Sequence, residues 1–461
     1  MRIRRILGAL ALSVAILAMG SGGAWALSYT DHVSLAPNGQ GDVLVYPLFV
    51  ATDGWQSNIS VINTSKQSVV AKIVFRSYAF SQELMDFLIY LSPKDMWVGT
   101  IKNGVTDKSG AVGVGVYSVD SSALYDSGVD PATMPDPFAR DEVGKKLEKL
   151  FVKPLCGDLN TMGYITVVEA WSEIVPFTAD ELADKQKRGK AISSWYVAAP
   201  TGIPGKPVNA LSGSIDISYP NGGAAATAAV ALKDWKNGTR LTVGNTTALG
   251  KDLANNNQRE MDAALSKGIV SVPFDNNSTV ASWHGFTFPT KGSVVVSTGP
   301  PCVVTNESDY FRGAGTVGFL TINEYDTDEM HALNPFSPAQ PSGLPYEFYW
   351  VDAGKAVFKQ GWIEYTLPGS TTNPVPAAPI PPGTRLDINM SGQPLAYTGA
   401  PVIPLVMNFI NDGAFPKMTI KSGSYAESVI KGSIGGVSGP AIIPSVPLPG
   451  YQYSSANVPT K

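Results

Sequence analysis

The chain is 461 residues long, enough to bury a large core, and carries a formal net charge of −4 with only 16% of its residues charged. That balance, with no basic patch or tail, excludes the electrostatic footprint of a nucleic-acid-binding protein. With 44% hydrophobic residues, 46 glycines and 35 prolines, the composition points to many short strands separated by turns.

Arg2, Arg4 and Arg5 precede an apolar stretch over residues 6–19, and small residues then lead to Ala24-Trp25-Ala26. A charged start, an apolar middle and an A-x-A site are the parts of a secretory signal peptide, so residues 1–26 are predicted to be one. The apolar run is shorter than the ~20 residues of a spanning helix, and Gly20, Gly22 and Gly23 interrupt its end. No cysteine follows Ala26, which argues against a lipid anchor there, and no later run is long and apolar enough for a membrane helix.

Residues 42–50 are strand-like, with Pro47 requiring an edge or a bulge. Residues 55–63 and 69–76 follow, joined by a short polar loop, and are predicted to pair as a hairpin. Residues 87–91 add a further strand that stops at Ser92-Pro93. Asp136-Pro137 then reads as the start of a helix, with Val143, Leu147, Leu150 and Phe151 along one face. Strand 164–171 comes next. Thr178 and Glu181 form a capping box for a second helix, which Gly189 is expected to end. Residues 211–219 and 224–232 are predicted strands that pair across the turn at 220–223. A third helix is expected over 258–267, with Gly268 after its last turn. Residues 316–324 continue the strand series, 347–351 and 356–366 read as a hairpin, and 402–410 form the last clear apolar strand.

These elements predict a mainly β fold of antiparallel β-sandwich or jelly-roll-like domains with a few short helices. The alternative is an outer-membrane β-barrel of about 16–18 strands. The expected divisions are the signal peptide at 1–26, an N-terminal sandwich-like domain at 27–135 and a helix-containing insertion with one strand at 136–200. A second β-rich domain follows at 201–433, and a Pro/Gly/Ser-rich tail at 434–461. Residues 368–382 are Pro-rich and read as an extended crossing.

Four segments carry a resemblance. They are Gly41-Asp42-Val43-Leu44-Val45-Tyr46-Pro47 with its continuation over 54–64, Leu91-Ser92-Pro93-Lys94-Asp95-Met96-Trp97, residues 283–291 with Pro301-Cys302-Val303, and Gly399-Ala400-Pro401-Val402-Ile403-Pro404. Together they resemble an uncharacterised family of exported cell-surface proteins of Gram-negative bacteria. There is also a fainter similarity, carried by no single motif, to porin-like outer-membrane proteins of metal-reducing bacteria. The resemblance implies an envelope or surface location and carries over no catalytic residue.

The chemistry-bearing residues are few. Cys156 and Cys302 either form one long-range disulfide or stand as two buried thiols; neither lies in a CxxC or CxxCH motif. Of the histidines His32, His284 and His331, His284 lies in an aromatic strand and reads as a packed residue. Gly313-Ala314-Gly315-Thr316-Val317-Gly318 matches G-x-G-x-x-G, but a strand rather than a helix follows, so it reads as a turn and not a nucleotide site. Asp120, Asp126, Asp130, Asp136 and Asp141, and the tighter group Asn323, Glu324, Asp326, Asp328 and Glu329, offer oxygens of the kind calcium takes, without EF-hand spacing. They read as solvated loops. Tyr346, Phe348 and Trp350 alternate with Tyr349, which would give one core face and one outward aromatic face.

No catalytic, cofactor or metal site is therefore assigned, and no cofactor is expected. The reading is an exported envelope or surface protein with a non-enzymatic structural or binding role, its partner an envelope or surface component. A porin-like channel is the alternative, and a secreted polysaccharide hydrolase the second alternative.

Overall fold

A computed structural model of the chain describes residues 33–52, 54–107, 109–120, 123–124, 147–154, 160–199, 208–218, 223–235, 257–291, 293–297, 303–306, 310–311, 318–328, 330–333, 347–372, 395–397, 399–411 and 416–422. The expected signal peptide at 1–26, residues 434–461, Cys156 and Cys302 lie outside the described residues. As the turn-rich alternation predicts, the architecture is mainly β, with antiparallel sheets and a few short helices. No sheet among the described residues closes into a barrel.

The first thirteen strands are β1 (Ser34–Leu35), β2 (Val43–Val50), β3 (Gln56–Asn63), β4 (Ser68–Ser77), β5 (Glu83–Leu91), β6 (Met96–Thr106) and β7 (Val112–Ser118), followed by β8 (Ala123–Leu124), β9 (Leu147–Leu150), β10 (Met162–Glu173), β11 (Leu211–Ser218), β12 (Ala224–Ala228) and β13 (Val230–Lys233). They build a seven-stranded sheet, β1-β13-β2-β10-β4-β5-β8, and a six-stranded sheet, β12-β11-β3-β6-β7-β9. Thus β10, from the expected insertion, and β11–β13, from the expected second domain, complete the two N-terminal sheets.

Burial explains the layering. β2 and β4 are buried at every position, whereas β3 is buried at every second one. A strand buried throughout is covered on both faces; one that alternates keeps a wet face. Tyr46, Phe75, Phe87 and Ile165 of the seven-stranded sheet pack against Ile59, Trp97, Val116 and Ile215 of the six-stranded sheet. On the opposite face, Val70, Tyr90 and Val168 are covered by Ile192 and Tyr196 of the helix Lys185–Ala198 and by Met261 and Leu265 of the helix Asn257–Leu265. Each such large apolar side chain contributes about 1.5–3 kcal/mol. The wet face left by this arrangement is the outer face of the six-stranded sheet.

The remaining strands are β14 (Ser266–Lys267), β15 (Ile269–Asp275), β16 (Val280–Thr287), β17 (Ser293–Ser297), β18 (Val303–Asn306), β19 (Thr321–Asp326), β20 (His331–Leu333), β21 (Phe348–Asp352), β22 (Gln360–Thr366), β23 (Ser370–Thr372), β24 (Leu395–Tyr397), β25 (Ala400–Pro401), β26 (Ile403–Asn411) and β27 (Pro416–Ser422). Two four-stranded sheets, β15-β22-β19-β20 and β21-β16-β26-β27, enclose a second core around Val272, Phe286, Ile363 and Tyr365. The other face of the latter sheet sends Phe348, Leu405, Met407 and Phe409 into the first core. Thr287 Oγ1 donates to the Pro47 carbonyl at 2.7 Å across the same junction. Pro47 sits at a register shift between β2 and β10, the bulge that a proline in a paired strand requires.

Several expected pairings differ. The segments 55–63 and 69–76 do not form a hairpin: β3 pairs with β6 and β11, and β4 with β5 and β10. Their loop crosses from one sheet to the other. Asn63 shapes it, accepting from Ser65 N and donating to Gln67 O and Ser92 O. The stretch 224–232 also divides, with β12 on β11 but β13 on β2 in the opposite sheet. β21 and β22 belong to different sheets, joined through a 3-10 turn at Ala353–Lys355 that Asp352 caps.

The helix expected from Asp136 through Phe151 is replaced at its C-terminal end by β9, which pairs with β7. Leu147 and Phe151 enter the sandwich core through a sheet edge; residues 136–146 lie outside the described residues. The capping box at Thr178 and Glu181 is present, but its helix, Ala179–Ala183, ends at Asp184. Asp184 caps the next helix, which runs through Gly189 to Ala198. In the Pro-rich crossing, residues 370–372 are strand β23, paired with β24, and 373–382 lie outside the described residues.

Candidate functional site

The wet face of the six-stranded sheet is built by period-two alternation. In β3, Ser57, Ile59 and Val61 point into the core, so Gln56, Asn58 and Ser60 point out. Antiparallel register then aligns residues from distant parts of the chain. Asp216 lies opposite Asn58, Asn58 opposite Thr100, and Thr100 opposite Tyr117. Next to this row, Ser214 lies opposite Ser60, and Ser60 opposite Val98.

The two rows line an open groove of about 290 Å³, whose polar walls come from Asn58, Ser60, Thr100, Ser214, Asp216 and Tyr117. Thr100 Oγ1 donates to Asn58 Oδ1 at 2.8 Å, which leaves the Asn58 amide protons directed elsewhere. The Ser60 and Ser214 hydroxyls lie 3.1 Å apart. Lys102 Nζ lies 4.8 Å from the centre of the Tyr117 ring. The floor therefore offers donors, acceptors and one aromatic ring on strands β11, β3, β6 and β7, each paired on both sides.

The strongly perturbed ionisable groups lie elsewhere, inside the protein. Asp42 accepts the backbone N–H of Val208 at 3.1 Å, of Asn209 at 2.6 Å and of Trp235 at 3.0 Å. Burial nevertheless raises its pKa to about 6. Glu169 is pushed well above the ordinary carboxylate range, first by burial and then by the charge of Asp42, to which it is hydrogen-bonded. Lys72, fully buried, pairs with Asp86 at 2.8 Å. Burial raises Asp86 to about 6, against the pull of Lys72. These groups join strands and loops together.

His284, as expected of a packed residue, is fully buried in β16. Its Nε2 lies 3.1 Å from the Pro273 carbonyl and its Nδ1 lies 2.7 Å from the Tyr365 hydroxyl. A carbonyl can only accept, so Nε2 carries the proton and Nδ1 accepts from Tyr365. Burial pushes the imidazole down to about 3, which keeps it neutral. His331 instead stacks on Tyr325 at 4.8 Å, and Tyr325 on Trp362 at 5.0 Å, a ladder across β20, β19 and β22. His32 lies outside the described residues.

The acidic candidates do not converge. Asp120 pairs with Lys185 at 2.9 Å, and Asp126, Asp130, Asp136 and Asp141 lie outside the described residues. In β19, Asn323 and Glu324 point to opposite faces, as neighbours in a strand must. Asn323 donates to Glu364 at 3.3 Å, while buried Glu324 accepts from Val357 N and Phe358 N. Asp326 accepts from the amides of Asp328 and Met330 in its own turn, and Glu329 lies outside the described residues. Among the described residues no three His, Cys, Asp or Glu side chains group as metal ligands. Of the G-x-G-x-x-G segment only Gly318 is described. Phe348 and Trp350 pack on the first core and Tyr349 sits in the second, so the expected outward aromatic face is covered on both sides; Tyr346 lies outside the described residues.

The groove was not among the sequence candidates. Its residues are common polar types at positions 58, 60, 100, 117, 214 and 216, and only sheet register brings them together. No helix among the described residues is long and apolar enough to cross a membrane. No protein-family model matches the chain, and no curated protein does.

Proposed function

We propose that the chain is an exported envelope or cell-surface protein with a non-enzymatic binding role, and that its ligand sits in the groove on the six-stranded sheet. The observation that carries this reading is the groove's composition. Asn58, Thr100, Tyr117 and Asp216 line a concave surface on strands that are each paired on both sides. Preorganised polar groups of this kind bind without reordering the backbone. The export part rests on the charged, apolar and A-x-A sequence of residues 1–26. The inward placement of Asp42, Glu169, Lys72 and His284 supports a structural rather than catalytic use of the titratable groups.

The test combines surface biotinylation of intact cells with co-sedimentation of purified protein on isolated envelopes. The wild type should label on intact cells and sediment with envelopes, and Tyr117→Ala with Asp216→Ala should reduce sedimentation at least tenfold at unchanged thermal stability. Equal sedimentation of the variant would refute the groove as the binding surface. Recovery of the wild type in the cytosol alone would refute export.

A further inference from the structure

Resting on that binding reading, we infer that the groove takes a neutral, β-linked polysaccharide chain running across the strands. The geometry supplies the first argument. Neighbouring strands are about 4.8 Å apart, so Asp216, Asn58, Thr100 and Tyr117 present one side chain at each such step. That step is close to the length of one pyranose in an extended β-linked chain. Successive sugars lying across the strands would each meet one side chain of the row.

The chemistry of the row matches a sugar. The Asp216 carboxylate, which accepts through two oxygens, and the Asn58 carboxamide, whose NH2 donates, are planar groups that suit vicinal hydroxyls. Thr100 Oγ1, whose proton goes to Asn58 Oδ1, keeps lone pairs to accept from a ligand hydroxyl, and the bonded Ser60 and Ser214 hydroxyls add further polar surface. Tyr117 supplies an aromatic ring for the C–H face of a pyranose on the side that Lys102 Nζ, over the ring at 4.8 Å, does not cover. The volume of about 290 Å³ is at the low end of ligand clefts, and the groove is open, so it holds a polymer by a short segment at a time.

Charge and sheet position narrow the occupant. Asp216 in the row opposes a polyanion, and Lys102, over the Tyr117 ring beside the row, opposes a polycation, so the groove favours neither. An extended peptide binds a sheet by adding to an open edge, through main-chain hydrogen bonds. Here β3 and β6 are interior strands whose backbone groups are already paired on both sides. What remains available is side-chain recognition on the face, which favours a hydroxyl-rich chain.

The experiment is affinity electrophoresis of the purified protein through gels containing hydroxyethylcellulose, glucomannan or xylan, with alginate as the anionic comparison. Retardation by at least one neutral polymer is expected, weaker or absent retardation by alginate, and an affinity loss of tenfold or more for Asn58→Ala and for Tyr117→Ala. Both side chains lie half-buried on the outer face of the sheet, and unchanged melting temperatures exclude misfolding as the cause. Mobility unchanged in all three neutral gels would overturn the inference, and if the groove variants still lost envelope sedimentation, the binding reading would stand with a protein partner instead. Retardation by alginate alone would overturn the neutral assignment. Retardation that Asn58→Ala and Tyr117→Ala leave intact would overturn the site.

Discussion

Glu169 and Asp42 face each other at the end of the β2–β10 ladder, one step beyond the Val43–Val168 pair, where Glu169 N–H donates to the Asp42 carbonyl at 2.8 Å. Their carboxyl groups are also hydrogen-bonded, and burial raises both pKa values, Asp42 to about 6 and Glu169 well above the ordinary range. One retained proton spares the sheet two adjacent buried anions, and Asp42 still accepts three backbone N–H groups from the 208–209 and 235 segments.

The pair makes stability pH-dependent with a definite sign. Above the ordinary carboxylate range the unfolded chain has released protons that the folded chain still holds. The pair's contribution is therefore complete at acid pH and declines as pH rises through that range towards the raised values. Glu169→Gln removes one of these titrations while its amide still donates to Asp42. Its stability relative to wild type should climb as pH rises above the ordinary carboxylate range, by up to ~1.4 kcal/mol per pH unit. A pH-independent difference between the two proteins would show that Glu169 is ionised in the fold.

The neutral imidazole of His284 gives the opposite slope. Its folded pKa is held near 3, below the ordinary histidine value, so the unfolded chain takes up a proton first as pH falls. This part of the stability is present above about pH 6.5 and is lost on acidification towards 3. Nitrogen NMR of the ring should show the Nε2–H tautomer unchanged from pH 8 to pH 5. Tyr365→Phe removes the donor to Nδ1 and should cost about 1–3 kcal/mol in chemical denaturation. A ring that titrates near neutrality would contradict this burial.

Gly115 decides whether β9 can dock. A Cβ at this position would lie 2.1 Å from the Lys149 carbonyl oxygen, so Gly115→Ala pushes β9 off the edge of the six-stranded sheet. The variant should lose about 1–3 kcal/mol and become sensitive to limited proteolysis near Leu147–Leu150. Unchanged protease resistance there would mean that β9 does not depend on this contact.

The same strand shows what the sequence could and could not disclose. Leu147, Leu150 and Phe151 satisfy a helical spacing, yet the partner that makes them a strand is β7, some 30 residues earlier, with a glycine where the backbones meet. The strand over 56–63, the bulge at Pro47 and the cap at Thr178 were legible because each depends on neighbouring residues. The sheet crossings after Asn63 and Ala228 were not, since a polar loop between two strands looks alike whether it turns back or passes to the opposite layer. Nor was the groove, because Asn58, Thr100, Tyr117 and Asp216 meet only through long-range register.

Lys72 and Asp86 test how the covered face of the seven-stranded sheet tolerates charge. They face each other's strands in β4 and β5, 2.8 Å apart, with the lysine fully buried. The Lys72–Leu88 and Val74–Asp86 register places the ion pair on the diagonal between the two strands, with Arg76 and Glu83 near enough to act on Asp86. Removing the carboxylate takes from buried Lys72 the charge it is paired with, so Asp86→Ala should cost about 3–5 kcal/mol by urea denaturation. Replacing both, as Lys72→Met with Asp86→Leu, should recover most of that loss, because an apolar pair of similar volume has no charge to desolvate. If the double variant were as unstable as the single one, the ion pair would be contributing net attraction beyond its desolvation cost, and the face would need charge rather than tolerate it.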